Sequence, residues 1–188
     1  MENDYPLSGT DIKEALHGRV NIVRASELSR YTSIDDVLRP WGAAIILYEH
    51  EPGGVGHWVT VVRLEGQEHP TIAYADPYGR EIDDVIVEQS KAERAKVGQY
   101  TPTLSFLLAT SNPRYVIDYM DSKLQGAKSS VCGRYAILRA HPSTRALSND
   151  ALAELLEPSS EDIKRGLKTA DKKIIALTEP LLRNAMRH

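Results

Sequence analysis

The chain has 188 residues, 41% of them hydrophobic, which suffices for one domain with its own core. Lys and Arg number 23 against 26 Asp and Glu; the net charge of -3 excludes a strongly basic nucleic-acid-binding surface, and no apolar run is long enough to span a bilayer. Cys132 is the one cysteine, so an internal disulfide and a multi-cysteine zinc site are excluded; the six histidines lack ligand spacing, and no metal or other cofactor is expected.

The first residues, Met-Glu-Asn-Asp, lack the basic-then-apolar plan of a secretory signal, and the unpaired cysteine suits a reducing compartment. Thr10 to Leu16 reads as a capped helix, and a second short helix starts at Ser33 and ends before Pro40. Ala43 to Tyr48 and His57 to Leu64 read as the strands of a hairpin whose wide loop, Glu51 to Gly56, is rich in glycine. Thr71 to Ala75 is a third strand, closed by the turn residues Asp76-Pro77-Tyr78-Gly79.

Asp83 to Val97 has a charged helical pattern. Leu104 to Ala109 and Tyr115 to Tyr119 are expected as strands, although the first also fits a helical turn. Cys132 to His141 follows a Gly/Ser loop and reads as a buried helix ended by Pro142. Asp150 to Leu156 and Glu161 to Met186 are expected to be helical, with breaks at Pro158 and Pro180. Lys164, Arg165, Lys168, Lys172 and Lys173 are diluted by Asp162 and Asp171 and read as a solvated helix face, so no stimulation by nucleic acid is expected. Strands in the middle with helices at both ends imply an α+β fold in a single domain, with a core from about residue 40 to 141.

Several residues could carry chemistry. A thiol attacks as thiolate, and a free cysteine of pKa ~8.5 becomes reactive at a helix N-terminus, where unpaired N–H groups favour negative charge. Cys132 stands at such a point; taken alone, a structural core cysteine is the stronger reading, and its context changes that. The preceding loop holds Gln125, whose amide could join the Cys132 N–H in stabilising an oxyanion, and Gly133 would leave room for substrate behind the nucleophile. His57 opens its strand beside Trp58, and Asp76 ends the next strand, where its carboxylate could reach the imidazole Nδ1. An exposed hairpin histidine and a simple Asx-turn are the plainer alternatives for these two.

The ordered set of His57-Trp58, Asp76-Pro77-Tyr78-Gly79, Gln125-Gly126, Ser129 and Cys132-Gly133 resembles adenain, the adenovirus maturation protease type, and more distantly the SUMO-deconjugating proteases. The resemblance covers roughly Pro40 to Ala140. It implies a papain-like cysteine peptidase fold with a central helix on a small sheet. It also implies Cys132 as nucleophile, His57 as base, Asp76 as the orienting carboxylate and Gln125 as oxyanion donor. Trp58 would roof the substrate channel and restrict cleavage to sites after glycine. The implied substrates are viral capsid or core precursors, in a virion or the host cytoplasm. A SUMO or ubiquitin-like deconjugating peptidase, an acetyltransferase on the same scaffold and an inactive binding module are the alternatives. Adenain is activated through a disulfide to a viral peptide and by DNA; with Cys132 as the lone cysteine and an acidic chain, neither is expected here.

Overall fold

Alternation along two long strands splits the apolar residues between two cores. In the computed structural model, which describes residues 4–185, β2 (Ala43–Glu51) and β3 (Val55–Arg63) form an antiparallel hairpin. Ala44, Ile46 and Tyr48 join Val59 and Val61 in one core, while Ala43, Ile45 and Leu47 join Trp58 and Val62 in the other. Burial on both faces explains why β2 is an unbroken apolar run rather than an alternating one. Ile45 and Ile46 are both fully buried, each contributing about 1.5–3 kcal/mol of transfer free energy.

β4 (Thr71–Ala75) pairs antiparallel with β3. Two edge strands, β1 (Asn21–Arg24) and β5 (Val116–Tyr119), run parallel to β2 and β4, giving one five-stranded mixed sheet in the order β1-β2-β3-β4-β5. The fold is α+β.

The first core is covered by a 3₁₀ helix (Ala25–Arg30), α2 (Ile34–Leu38), α3 (Asp84–Glu88) and α5 (Thr103–Ala109). The second lies under α1 (Gly9–Ala15), α6 (Cys132–Ala140) and α9 (Ala170–Ala185). α4 (Lys91–Val97), α7 (Asn149–Leu156) and α8 (Ser160–Lys164) complete the set. Every residue of α6 is buried, including Arg134 and Arg139. The terminal nitrogens of Arg139 donate to the carbonyls of Leu147 and Thr144 and to Asn149 Oδ1, while its Nε has no partner among the described residues; burial lowers its pKa to about 10, opposed by Asp118.

Four sequence expectations need correction. Leu104 to Ala109 is helix α5, because Leu104, Leu107 and Leu108 are buried at helical spacing while Phe106 faces outward. Asp83 to Val97 divides into α3 and α4: Gln89 turns extended, and Ser90 starts a new helix by accepting the Glu93 N–H. Glu161 to Met186 is likewise two helices, α8 and α9, with a non-helical link around Gly166; Met186 lies outside the described residues. Within α9 the helix runs through Pro180, which is exposed, so the backbone carbonyl it leaves unpaired can be hydrated. Buried Ile174, Thr178 and Leu182, one turn apart, hold both halves of α9 on the core. β1 and the 3₁₀ helix were not anticipated, since a four-residue, half-buried edge strand carries little periodicity. Among the described residues, no helix is long and apolar enough to cross a membrane, and no cluster of His, Cys, Asp and Glu is arranged to hold a metal ion.

Candidate active site

Antiparallel pairing brings the start of β3 and the end of β4 to the same end of the sheet. Thr60 faces Ala75, so Asp76 continues the ladder opposite Val59 and diagonal to His57. Their separation of 19 positions is thus the span of a hairpin that returns one strand beside the other. His57 Nε2 meets Asp76 Oδ1 at 2.9 Å, with His57 4% and Asp76 1% exposed. The contact is through Nε2, whereas the sequence suggested Nδ1: the distal nitrogen reaches across to the neighbouring strand. Asp76 Oδ1 also accepts the Tyr78 N–H at 2.8 Å, which fixes the carboxylate.

Cys132, the first residue of α6, lines the same cleft as His57 and lies near enough to bear on the charge of the imidazole. Burial pushes the His57 pKa down, but hydrogen bonds and charge from Asp76 and Cys132 outweigh it and raise the value to about 9. Helix α6 has no side-chain cap, because Val131 occupies the capping position. By contrast, Ser8, Ser33, Ser90, Ser148 and Ser159 each cap the helix that follows. The Cys132 and Gly133 N–H groups at the start of α6 are therefore left to favour negative charge at Cys132.

His57, Cys132 and Gln125 line one cleft of about 540 Å³. Gln125 is 2% exposed; its amide nitrogen donates to the Ser129 carbonyl at 2.7 Å, and its Oε1 finds no partner among the described residues. The Gln125 N–H donates to the Pro77 carbonyl, tying the loop before α6 to the turn after Asp76.

Upstream of His57 the backbone approach is very close. A Cβ on Gly56 would lie 2.0 Å from the Tyr48 carbonyl oxygen, so only glycine fits. The register slips by one residue between Glu49 and Glu51, a bulge at the rim of the cleft. Buried Glu49 steadies this loop: its carboxylate accepts the Gly54 N–H at 3.1 Å, and its own N–H donates to Gln99 Oε1.

Two expected contacts differ. Trp58 does not line the cleft that holds Cys132; its indole N–H donates to the Leu7 carbonyl at 3.0 Å, and it borders a neighbouring 850 Å³ cleft with Leu47, Gly53 and Gly54. Even period along β3 sends residue 58 away from residue 57. Gly133 faces Leu7, whose Cβ lies 3.0 Å from the position a Cβ on Gly133 would take. The space expected for substrate there is filled by the chain's own N-terminal segment. That segment continues along the site: Pro6 lines the cleft, and Asp4 Oδ1 accepts the Ser130 N–H at 2.8 Å.

The residue beside the imidazole is Tyr78, whose ring centroid lies 5.0 Å from that of His57, with the Arg80 guanidinium 5.4 Å from the Tyr78 centroid. The sequence showed Tyr78 only as a turn residue.

No protein-family model matches the chain. Uncharacterized protein V9 of Sputnik virophage is 33% identical to it over 135 residues, which cover 71% of this chain and 74% of the V9 protein. The chain belongs to the V9 family. For this V9-family protein, the residues the structure brings together are His57, Asp76, Gln125 and Cys132, with Tyr78 added and with Trp58 and Gly133 packed on the N-terminal segment instead.

Proposed function

We propose that this chain is a cysteine endopeptidase with the papain-like architecture of the adenain and SUMO-protease type. The observation that carries the reading is the buried Asp76–His57 pair, in which a 2.9 Å carboxylate–imidazole contact backs a histidine that shares a cleft with a thiol at an uncapped helix start.

In the proposed reaction the Cys132 proton rests on His57, and Asp76 stabilises the imidazolium so formed. The thiolate adds to a peptide carbonyl. The resulting oxyanion takes the Cys132 N–H and the Gln125 amide, which exchanges its Ser129 carbonyl partner for the substrate oxygen. His57 then gives its proton to the leaving amine and afterwards deprotonates the water that releases the acyl group. The chemistry calls on no metal or cofactor.

A relative in a virophage favours a viral setting, and capsid or core precursors are the substrate class we propose, processed in the virion or the host cytoplasm. Lys164 and Lys173 are paired with Glu161 and Asp162, which reduces the positive charge around α8 and α9, in keeping with activity independent of DNA. The test is a panel of peptides differing only in Gly, Ala or Leu before the scissile bond, together with a ubiquitin-like modifier fused to a reporter. Cleavage after glycine in the peptides, abolished by Cys132→Ser, is the expected result. Cleavage confined to the modifier fusion would move the chain to the deconjugating class, and no cleavage by wild type would sink the reading.

A further inference from the structure

Both proposed oxyanion donors sit on segments, residues 124–126 and α6, that no backbone hydrogen bond joins among the described residues. The Cys132 N–H belongs to α6, and the Gln125 amide belongs to the loop before it, six residues of which separate the two in sequence. Their relative position depends on whatever joins loop to helix. Asp171, at the start of α9, does so: Oδ2 accepts the Gly126 N–H at 2.9 Å, and Oδ1 accepts the Tyr135 hydroxyl at 2.9 Å. Gly126 follows Gln125 directly, and Tyr135 lies one helical turn beyond Cys132. One carboxylate therefore bridges the two donor-bearing segments from a third element. Tyr135, 5% exposed, also lies 3.2 Å from the Leu124 carbonyl, so the hydroxyl touches the loop on the other side of Gln125.

We infer that Asp171 is a positioning residue for the oxyanion site, acting through Gly126 and Tyr135 to hold Gln125 at its distance from the Cys132 N–H. The inference rests on the peptidase reading above. It assigns the C-terminal helix α9, which lies outside the stretch resembling known peptidases, a part in the transition state rather than in the core alone. Thr178 and Glu179 of the same helix bind the Arg134 guanidinium of α6 at 3.1 Å each, so the helix that carries Asp171 is itself fixed to the helix that carries Cys132.

The test separates oxyanion stabilisation from thiol reactivity. A glycine-terminated peptide aldehyde adds to Cys132: the sulfur–carbon bond forms, the carbonyl π pair moves to oxygen, and that oxygen needs the donors. Iodoacetamide alkylates the same thiol by displacing iodide, with no oxyanion. Asp171→Ala should weaken aldehyde binding about 10-fold or more, a share of the ~10²–10³ that one oxyanion donor carries, and leave iodoacetamide alkylation within about twofold of wild type, since the His57 pair is untouched. In the Asp171→Ala background, Gln125→Ala should add less than about threefold, because the donor is already misplaced. Asp171→Asn should restore binding: its carbonyl accepts from Gly126 while its amide donates to the Tyr135 oxygen, whose proton then serves Leu124. Tyr135→Phe gives a second cut of the same bridge and should resemble Asp171→Ala. Unchanged aldehyde affinity in both variants, multiplicative loss with Gln125→Ala, or equal slowing of both reagents would overturn the inference while leaving the peptidase reading standing. Wild-type Cys132 alkylating no faster than it does in His57→Ala would overturn both.

Discussion

His57 and Asp76 are held 2.9 Å apart through the imidazole Nε2, in the cleft that Cys132 also lines. The pair is almost wholly removed from water, so its electrostatics set both the chemistry and a part of the fold's pH dependence.

The first prediction concerns pH. The His57 pKa rises from 6.5 to about 9 in the fold, so the folded state holds the proton more tightly than the unfolded chain. The stability this contributes is fully present below about 6.5 and is lost as pH climbs through about 9; two to three units correspond to roughly 3 kcal/mol at most. Urea unfolding of wild type and His57→Ala should therefore converge as pH rises from 6 to 10. Iodoacetamide alkylation should follow the same course, with wild type at least ~10-fold faster than His57→Ala at pH 6.5 and the two alike above about 9. Equal alkylation rates from pH 5 to 9 would mean that no imidazolium–thiolate pair forms.

Gly56 is the next test. A methyl placed 2.0 Å from the Tyr48 carbonyl cannot be absorbed by a side-chain rotation, since the neighbour is backbone. Gly56→Ala should force the bulge open, cost about 1–3 kcal/mol or more, and displace His57 one residue away. The expected outcome is a fall in Cys132 alkylation larger than the fall in thermal stability explains. Gly53→Ala, with open space around its Cβ but a φ of 106°, should cost stability without that loss of reactivity.

The site's polar members were legible because each came with local chemistry. The hairpin spacing carried His57 and Asp76, the Gly/Ser loop and apolar helix carried Cys132, and the loop position carried Gln125. What could not be read was anything decided by a distant segment. Trp58 and Gly133 take their environment from Leu7, which is 51 positions from Trp58 in the chain. A local reading could only offer them to the cleft. Leu104 to Ala109 failed for a different reason: a six-residue apolar run suits a strand or a buried helix, and only tertiary contact chose. Pro180 shows packing overriding a strong local rule, because one exposed, hydrated carbonyl is cheaper than releasing Ile174, Thr178 and Leu182 from the core.

Leu7 and Gly133 should behave as one unit. Leu7 is 4% exposed, and Leu7→Ala should cost about 2–5 kcal/mol in proportion to the cavity left. Gly133→Ala should cost about 1–3 kcal/mol through overpacking against the Leu7 Cβ at 3.0 Å. Combined with Leu7→Gly, which removes that Cβ, Gly133→Ala should cost less than the sum of the two single losses, because residue 7 then frees space for the new methyl. Additive losses in urea unfolding would show that Gly133 is required for some other reason, such as the close approach of substrate.

The last prediction addresses the buried arginine behind the candidate nucleophile. Arg134 is fully buried, two residues after Cys132, and its guanidinium is met by Glu179 Oε2 and Thr178 Oγ1 at 3.1 Å, while its Nε has no partner among the described residues. The Tyr5 ring lies 5.4 Å from the guanidinium carbon. Glu179→Ala would leave a charge in the interior with its main counterion gone, and breaking such a pair costs about 3–5 kcal/mol. Arg134→Met removes the charge together with its desolvation cost and keeps much of the volume. It should therefore be less destabilising than Glu179→Ala, and Arg134→Met/Glu179→Ala should recover most of what Glu179→Ala loses. Chemical denaturation of the three variants checks the order. Should Glu179→Ala unfold at the wild-type midpoint, the ion pair contributes nothing net, and α9 is held on α6 by Ile174, Thr178, Leu182 and the Asp171–Tyr135 hydrogen bond.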